Sequence, residues 1–203
     1  EQSTLPSGLQ VGLGVRTVAT SRNFAQGNLQ QTGNNLDIAV QGNGFFQLTL
    51  PDGTLGYTRD GAFQIDNQGR LVTASGLPVS GGITVPSNAT GVSVAADGSV
   101  SASIPGTTAP QSIGTITLAS FVNPSGLEPK GQNIYTESAA SGQPNAGAAG
   151  TNGLGSLMQG FVETSNVNVV QELVTMIQTQ RAYEMNSKAI QTSDQMLQKL
   201  GQL

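Results

Sequence analysis

Asn168-Val169-Val170-Gln171-Glu172-Leu173-Val174-Thr175-Met176-Ile177-Gln178-Thr179-Gln180-Arg181-Ala182-Tyr183 opens the run that decides the architecture of this chain. No glycine or proline occurs between positions 161 and 200, although the chain carries 27 Gly and 9 Pro. Val169, Met176, Tyr183, Ile190 and Leu197 recur at intervals of seven, and Ala182, Ala189, Met196 and Leu203 form a second row beside them. Residues seven apart stay on nearly one line of an α-helix, because two turns of 3.6 residues fall just past seven. Leu173 and Ile177 widen the apolar surface in the first turns. Asn168 is a favourable N-cap with Gln171 three residues on, and Gly201 is a suitable breaker at the far end. Glu184 and Lys188 pair i,i+4 in the favourable order. A helix over 168–200 is roughly 50 Å long at 1.5 Å per residue, more than a small core can cover.

Such a helix either closes an ordinary core or serves assembly. The second reading is preferred. Its few charges balance, Glu172, Glu184 and Asp194 against Arg181, Lys188 and Lys199, and the rest of its polar surface is mainly Gln, Ser, Thr and Asn. A solvated helix normally carries a strongly charged face. Val169, Leu173, Met176, Ile177, Tyr183, Ala189, Ile190, Met196 and Leu197 are therefore the candidate assembly residues. Gln171, Gln178, Gln180, Gln191, Gln195 and Gln198 interrupt any apolar run, so the helix is not read as a membrane span.

Before the helix the pattern changes from a period near seven to a period of two. The run 36–40 alternates; after Gly42-Asn43-Gly44, Phe46, Leu48 and Leu50 point one way while Phe45, Gln47 and Thr49 point the other. Pro51-Asp52-Gly53, Asp60-Gly61 and Asp66-Asn67-Gln68-Gly69 are turns, and they separate strands at 55–59, 62–65 and 70–73. Further strands are expected at 82–85, 92–95, 99–104 and 113–122, in a stretch whose only charge is Asp97. The expected fold is mainly β, a sandwich or barrel-like domain with a long C-terminal coiled-coil-type helix. Its expected divisions are an extended arm at 1–31, a β-rich outer domain at 32–137, a Gly-rich linker at 138–164 and the helix at 165–203. The linker holds no charge from 138 to 161 and should let domain and helix be angled independently.

Composition excludes several functions. Charged residues are 10% of the chain against about 25% in typical globular proteins, and the net charge is −4, so no basic field attracts nucleic acid or an anionic membrane surface. With no Cys and no His there is no thiol chemistry, no common zinc site and no imidazole acid–base catalysis. Asp37, Asp52, Asp60, Asp66, Asp97, Glu128 and Glu137 are the β domain's acids, and several sit in turn contexts that account for them. A secreted β-rich carbohydrate-active enzyme would need a carboxylate pair in a cleft. A carbohydrate-binding module would need exposed aromatics; there is no Trp, and Tyr57 and Tyr135 are isolated. The pair Gly12 and Gly14 lacks the rest of a phosphate loop, and residues 66–69 lack the twelfth-position ligand of a calcium loop.

Three stretches together resemble one family, the axial proteins of the bacterial flagellum. They are Thr32-Gly33-Asn34-Asn35-Leu36-Asp37-Ile38-Ala39-Val40-Gln41-Gly42-Asn43-Gly44-Phe45-Phe46, then Tyr57-Thr58-Arg59-Asp60-Gly61-Ala62-Phe63, then the helix from Ser165-Asn166-Val167-Asn168 through Gln180-Arg181-Ala182-Tyr183-Glu184. Leu5-Pro6-Ser7-Gly8-Leu9-Gln10 and Val162-Glu163-Thr164-Ser165-Asn166-Val167 resemble most the members that build the distal rod, ahead of proximal-rod and hook-type members. The resemblance implies a non-enzymatic subunit, without cofactor or metal, that polymerises helically with itself and transmits torque. It also implies contacts with proximal rod and hook axial proteins, with bushing ring proteins and with the flagellar export apparatus, and none with nucleic acid or by membrane insertion. Family members begin with an amphipathic helix that pairs with the C-terminal one. This sequence begins beyond it, so its apolar rows are expected to lack that partner.

Overall fold

The structure, a computed structural model, describes residues 16, 20–107 and 109–200. Most of the first two-thirds of the expected arm, residues 1–15 and 17–19, lies outside the described residues, as do Gly201 and Leu203 and the side chain of Leu197. The chain enters through β1 (Leu29–Gln31) and β2 (Ile38–Gln41), then runs through the hairpin of β3 (Phe45–Thr49) and β4 (Leu55–Thr58). β5 (Phe63–Ile65) and β6 (Leu71–Thr73) follow, then β7 (Gly91–Val94), β8 (Ser99–Ser103), β9 (Gln111–Thr115) and β10 (Thr117–Ser120). After a short 3₁₀ turn come β11 (Glu128–Gly131), β12 (Ile134–Thr136), β13 (Asn145–Ala148), β14 (Ser156–Gln159) and β15 (Phe161–Glu163), and α1 (Val169–Leu200) ends the described chain.

The central sheet has six antiparallel strands in the order β11-β12-β4-β3-β10-β13. β3 is buried on both faces, beyond what its alternation implies, and the buried Gln47 donates from Nε2 to Leu118 O at 3.3 Å. Phe46 and Leu48 face the larger core with Ile38, Val40, Phe63, Ile116, Leu118 and Leu157. Phe45 faces a second cluster with Tyr57, Ala119, Phe121 and Leu127. Phe24 and Tyr135 close that cluster edge-to-face, their ring centroids 5.3 Å apart. Smaller sheets, β2 with β14, β5 with β6, β7-β8-β9 and β1 with β15, surround the larger core without closing a barrel. The mainly β fold with one long C-terminal helix is as the sequence reads.

Three local expectations change. Residues 82–85 form an isolated bridge, Arg70 to Thr84, and no strand. The expected single strand at 113–122 is two, because Ile116 is fully buried between β9 and β10 and its N–H donates to Gly98 O, turning the chain from one sheet to another. The third change is the largest. The stretch 138–164 contains β13, β14 and β15: β13 finishes the central sheet on β10, β14 pairs with β2, and Ala149, Leu154 and Leu157 are core residues. In β13, Asn145-Ala146-Gly147-Ala148, glycine and alanine contribute little side chain, so the backbone ladder carries the pairing, while β14 and β15, of four and three residues, are too short to show a period of two.

Candidate assembly surface

α1 begins where expected. Asn168 Oδ1 accepts the N–H groups of Val170 and Gln171 at 3.1 and 3.3 Å, satisfying two of the donors every helix start leaves free. Its 32 residues span about 48 Å. Val169 is 65% exposed, Met176 55%, Tyr183 77% and Ile190 64%, so the first apolar row is uncovered along its described length. Leu173 and Ile177 are exposed beside it, and Ala189 and Met196 are exposed on the second row. Successive helical residues lie about 100° apart, so Tyr183 and Ala182, like Ile190 and Ala189, place the two rows on adjoining faces. Leu173 and Ile177 flank the first row on its other side. The apolar surface thus spans more than one face, widest in the first turns, where Val170 and Val174 are exposed as well. No helix among the described residues is long and apolar enough to cross a membrane.

The root of the helix is tied to the β domain by contacts that the sequence does not announce. Glu163, the last residue of β15, is joined by Arg59 at the end of β4, Nε to Oε2 at 2.8 Å, with side-chain exposures of 20% and 11% for Arg59 and Glu163. The other carboxylate oxygen accepts the N–H of Gly27 at 2.8 Å. Arg59 Nη1 donates to Gly42 O and Gly44 O at 2.9 and 2.7 Å, while Nη2 is buried with no hydrogen-bond partner among the described residues. The Arg59 guanidinium carbon stands 6.0 Å from the centre of the Phe45 ring, a cation–π distance. A Cβ at Gly27 would lie 1.8 Å from Thr164 O, so only glycine lets the arm run this close to the chain entering α1. Thr164 donates from N and Oγ1 to Asn28 O, and Asn166 Nδ2 donates to Asn23 O and Ala25 O. An open cleft of about 590 Å³ borders this junction, lined among others by Arg22, Phe24, Arg59, Tyr135, Glu163 and Val167.

Sequence reasoning named none of Gly27, Arg59, Glu163 and Asn166 as site residues. A signal existed: Glu163 is the only charge between positions 138 and 171, and a lone charge in so neutral a stretch calls for a partner.

The acids of the β domain serve its turns. Asp52 accepts the hydroxyl and N–H of Thr54, and those bonds hold its carboxyl below the ordinary value. Asp97 accepts the N–H and hydroxyl of Ser99 with the same result. Burial works to raise Asp66, but the N–H groups and guanidinium of Arg70 and the N–H of Gln68 outweigh it, and the net shift is downward. Asp37 receives Thr32 Oγ1 and Asn34 Nδ2 and braces the entry to β2. Burial pushes the Tyr57 hydroxyl up, and the charge of Glu137 adds to it.

Residues 39–102 match the family described as the D1 domain of flagellar hook proteins FlgE/F/G, and residues 158–203 match the C-terminal family of flagellar basal body rod FlgEFG proteins. The flagellar basal-body rod protein FlgG of Buchnera aphidicola from Acyrthosiphon pisum is 57% identical over 202 residues, covering 100% of this chain and 78% of that protein. The chain belongs to the flagellar basal-body rod protein family. The FlgG of Borreliella burgdorferi is 46% identical over 97% of this chain and 75% of its own length. The hook protein FlgE of the same organism is 44% identical, but over 45% of this chain and 21% of the hook protein. The rod-protein family is structural and not enzymatic, and membership makes this chain a structural subunit of the basal-body rod that associates with itself and with other rod and hook proteins.

Proposed function

We propose that this chain is a subunit of the distal rod, polymerising helically into a shaft that transmits motor torque to the hook. The observation that carries the reading is α1: a helix of 32 residues with apolar side chains exposed on adjoining faces. Val169, Leu173, Met176, Ile177, Tyr183, Ala189, Ile190, Met196 and Leu197 are the assembly residues, buried against helices of neighbouring subunits in the rod wall. Fully burying side chains of this size contributes about 1.5–3 kcal/mol each, so a few per contact suffice to hold a polymer. Side-to-side contacts that do not close on themselves build a helical filament. The scarcity of charge suits a surface that meets other helices on most sides and a hydrated channel on the rest. β domains then form the outer layer, proximal rod and hook axial proteins adjoin the ends, and bushing ring proteins surround it. The export apparatus delivers the subunit.

Supplying the gene to a flagellated relative made non-motile by deletion of its own rod protein tests this. Basal bodies should regain a complete rod carrying a hook. A rod that stops short while this protein accumulates in soluble form overturns the reading.

A further inference from the structure

The junction at the root of α1 leaves little freedom to the five residues that connect β15 to the helix. Thr164 is held to Asn28 O through N and Oγ1, and Asn166 is held to Asn23 O and Ala25 O at 3.2 and 2.8 Å. Ser165 Oγ receives the N–H of Val167 at 3.2 Å, and Asn168 caps the helix directly afterwards. One residue earlier, the carboxylate of Glu163 joins three separate pieces of chain: the arm through Gly27, the end of β4 through Arg59, and through Arg59 the 42–44 turn that leads into β3. Both members of the ion pair are shielded from solvent, so salt screens their attraction less than that of an exposed pair.

We infer that Glu163 is a positioning residue that fixes the direction in which α1 leaves the β domain, so that the two turn as one body. The inference goes beyond the sequence reading, in which the glycines of 138–164 let domain and helix move independently. Most of those glycines lie in or between paired strands, and none lies between Glu163 and the helix. It rests on the reading of the chain as a load-bearing rod subunit for its purpose: a shaft whose inner and outer layers could swivel against each other would lose rotation at every subunit. The Gly27 N–H and the Arg59 guanidinium hold Glu163 from two directions, so its carboxylate can neither rotate nor withdraw without losing one of them. Asn166 makes a second tie on the helix side of the joint.

The chain has no Cys, so two introduced cysteines can carry spin labels without background. Ser112→Cys on β9 and Gln171→Cys in the first turn of α1 are both exposed, and the second sits close enough to the joint to be insensitive to the far end of the helix. Pulsed dipolar spectroscopy on the otherwise unchanged chain should give a narrow distance distribution. Glu163→Gln keeps size and loses charge, and it should broaden that distribution at least twofold while the β domain still melts cooperatively. Glu163→Asp should fall between the two. Asn166→Ala removes only hydrogen bonds at the exposed connection, and it should broaden the distribution even if Glu163→Gln folds poorly. A distribution that is already broad in the parent, or one as narrow in Glu163→Gln or Glu163→Asp as in the parent, overturns the inference. The labels report on the isolated chain, so their outcome is independent of whether the chain builds a distal rod, which complementation decides.

Discussion

Tyr183→Asp separates a helix built for assembly from a helix that merely ends the chain. Tyr183 is 77% exposed, so in the free subunit its side chain supports little. A tyrosine buries roughly 150–250 Å² when fully covered, which leaves about 115–190 Å² for a neighbouring subunit to cover. At about 25 cal/mol per Å² of apolar surface, and with part of that area being the polar hydroxyl, it is worth up to about 3 kcal/mol per contact. Aspartate forfeits it and adds several kcal/mol for placing an unpaired carboxylate between helices. Since about 1.4 kcal/mol is tenfold in a binding constant, lateral association should weaken by at least ~100-fold. In motile cells the expected result is loss of complete rods from purified basal bodies and loss of swimming. Calorimetry of the free protein should show the β-domain transition within ~0.5 kcal/mol of the parent, as for an exposed substitution. Rods of normal number and length from Tyr183→Asp would refute the argument, because an exposed residue in an exposed row would then carry nothing.

Two further outcomes test the β domain. Leu157→Ala, in a strand that the sequence presents as linker, should destabilise the domain by about 3 kcal/mol and lower its melting temperature by roughly 6–12 °C; an unchanged melt would show that β14 is not part of the core. Acid should weaken the domain: Asp52 and Asp97 are held below the ordinary carboxylate value by Thr54 and Ser99, so their contribution is present above about pH 4, the unfolded value, and is lost as pH falls through the folded one. Melting followed from pH 6 to pH 2 should decline below that point, and Thr54→Val with Ser99→Ala should flatten the decline; stability that rises on acidification would contradict the assignment.

What the sequence shows and hides follows from which atoms carry each element. The alternation in Phe45-Phe46-Gln47-Leu48 foretells a strand, because large side chains do the packing and their order is visible, but not that its second face, with Gln47, is buried as well. The helix is equally legible, since a seven-residue repeat with a capping Asn168 needs nothing from elsewhere in the chain. β13 to β15 are not legible. Asn145-Ala146-Gly147-Ala148 pairs with β10 through main-chain groups that every residue possesses, so its composition reads as linker. The joint is hidden for a different reason: Arg59 and Glu163 are 104 positions apart, and only the fold brings them to 2.8 Å. The apolar rows are visible as a pattern, and the structure adds that they stand exposed from Val169 to Met196 wherever their side chains are described.

Burial of those rows on assembly can be measured directly. A single cysteine at Met176 or Ile190, in a chain with no other, is reacted with a maleimide in the free protein and in purified basal bodies. A cysteine at the exposed loop residue Val122 on the β domain serves as the reference. The account predicts rapid reaction at all three positions in the free protein, and protection of at least ~100-fold at positions 176 and 190 relative to 122 once the rod has formed, in keeping with the weakening expected for Tyr183→Asp. Equal reactivity of position 176 or 190 before and after assembly would contradict it.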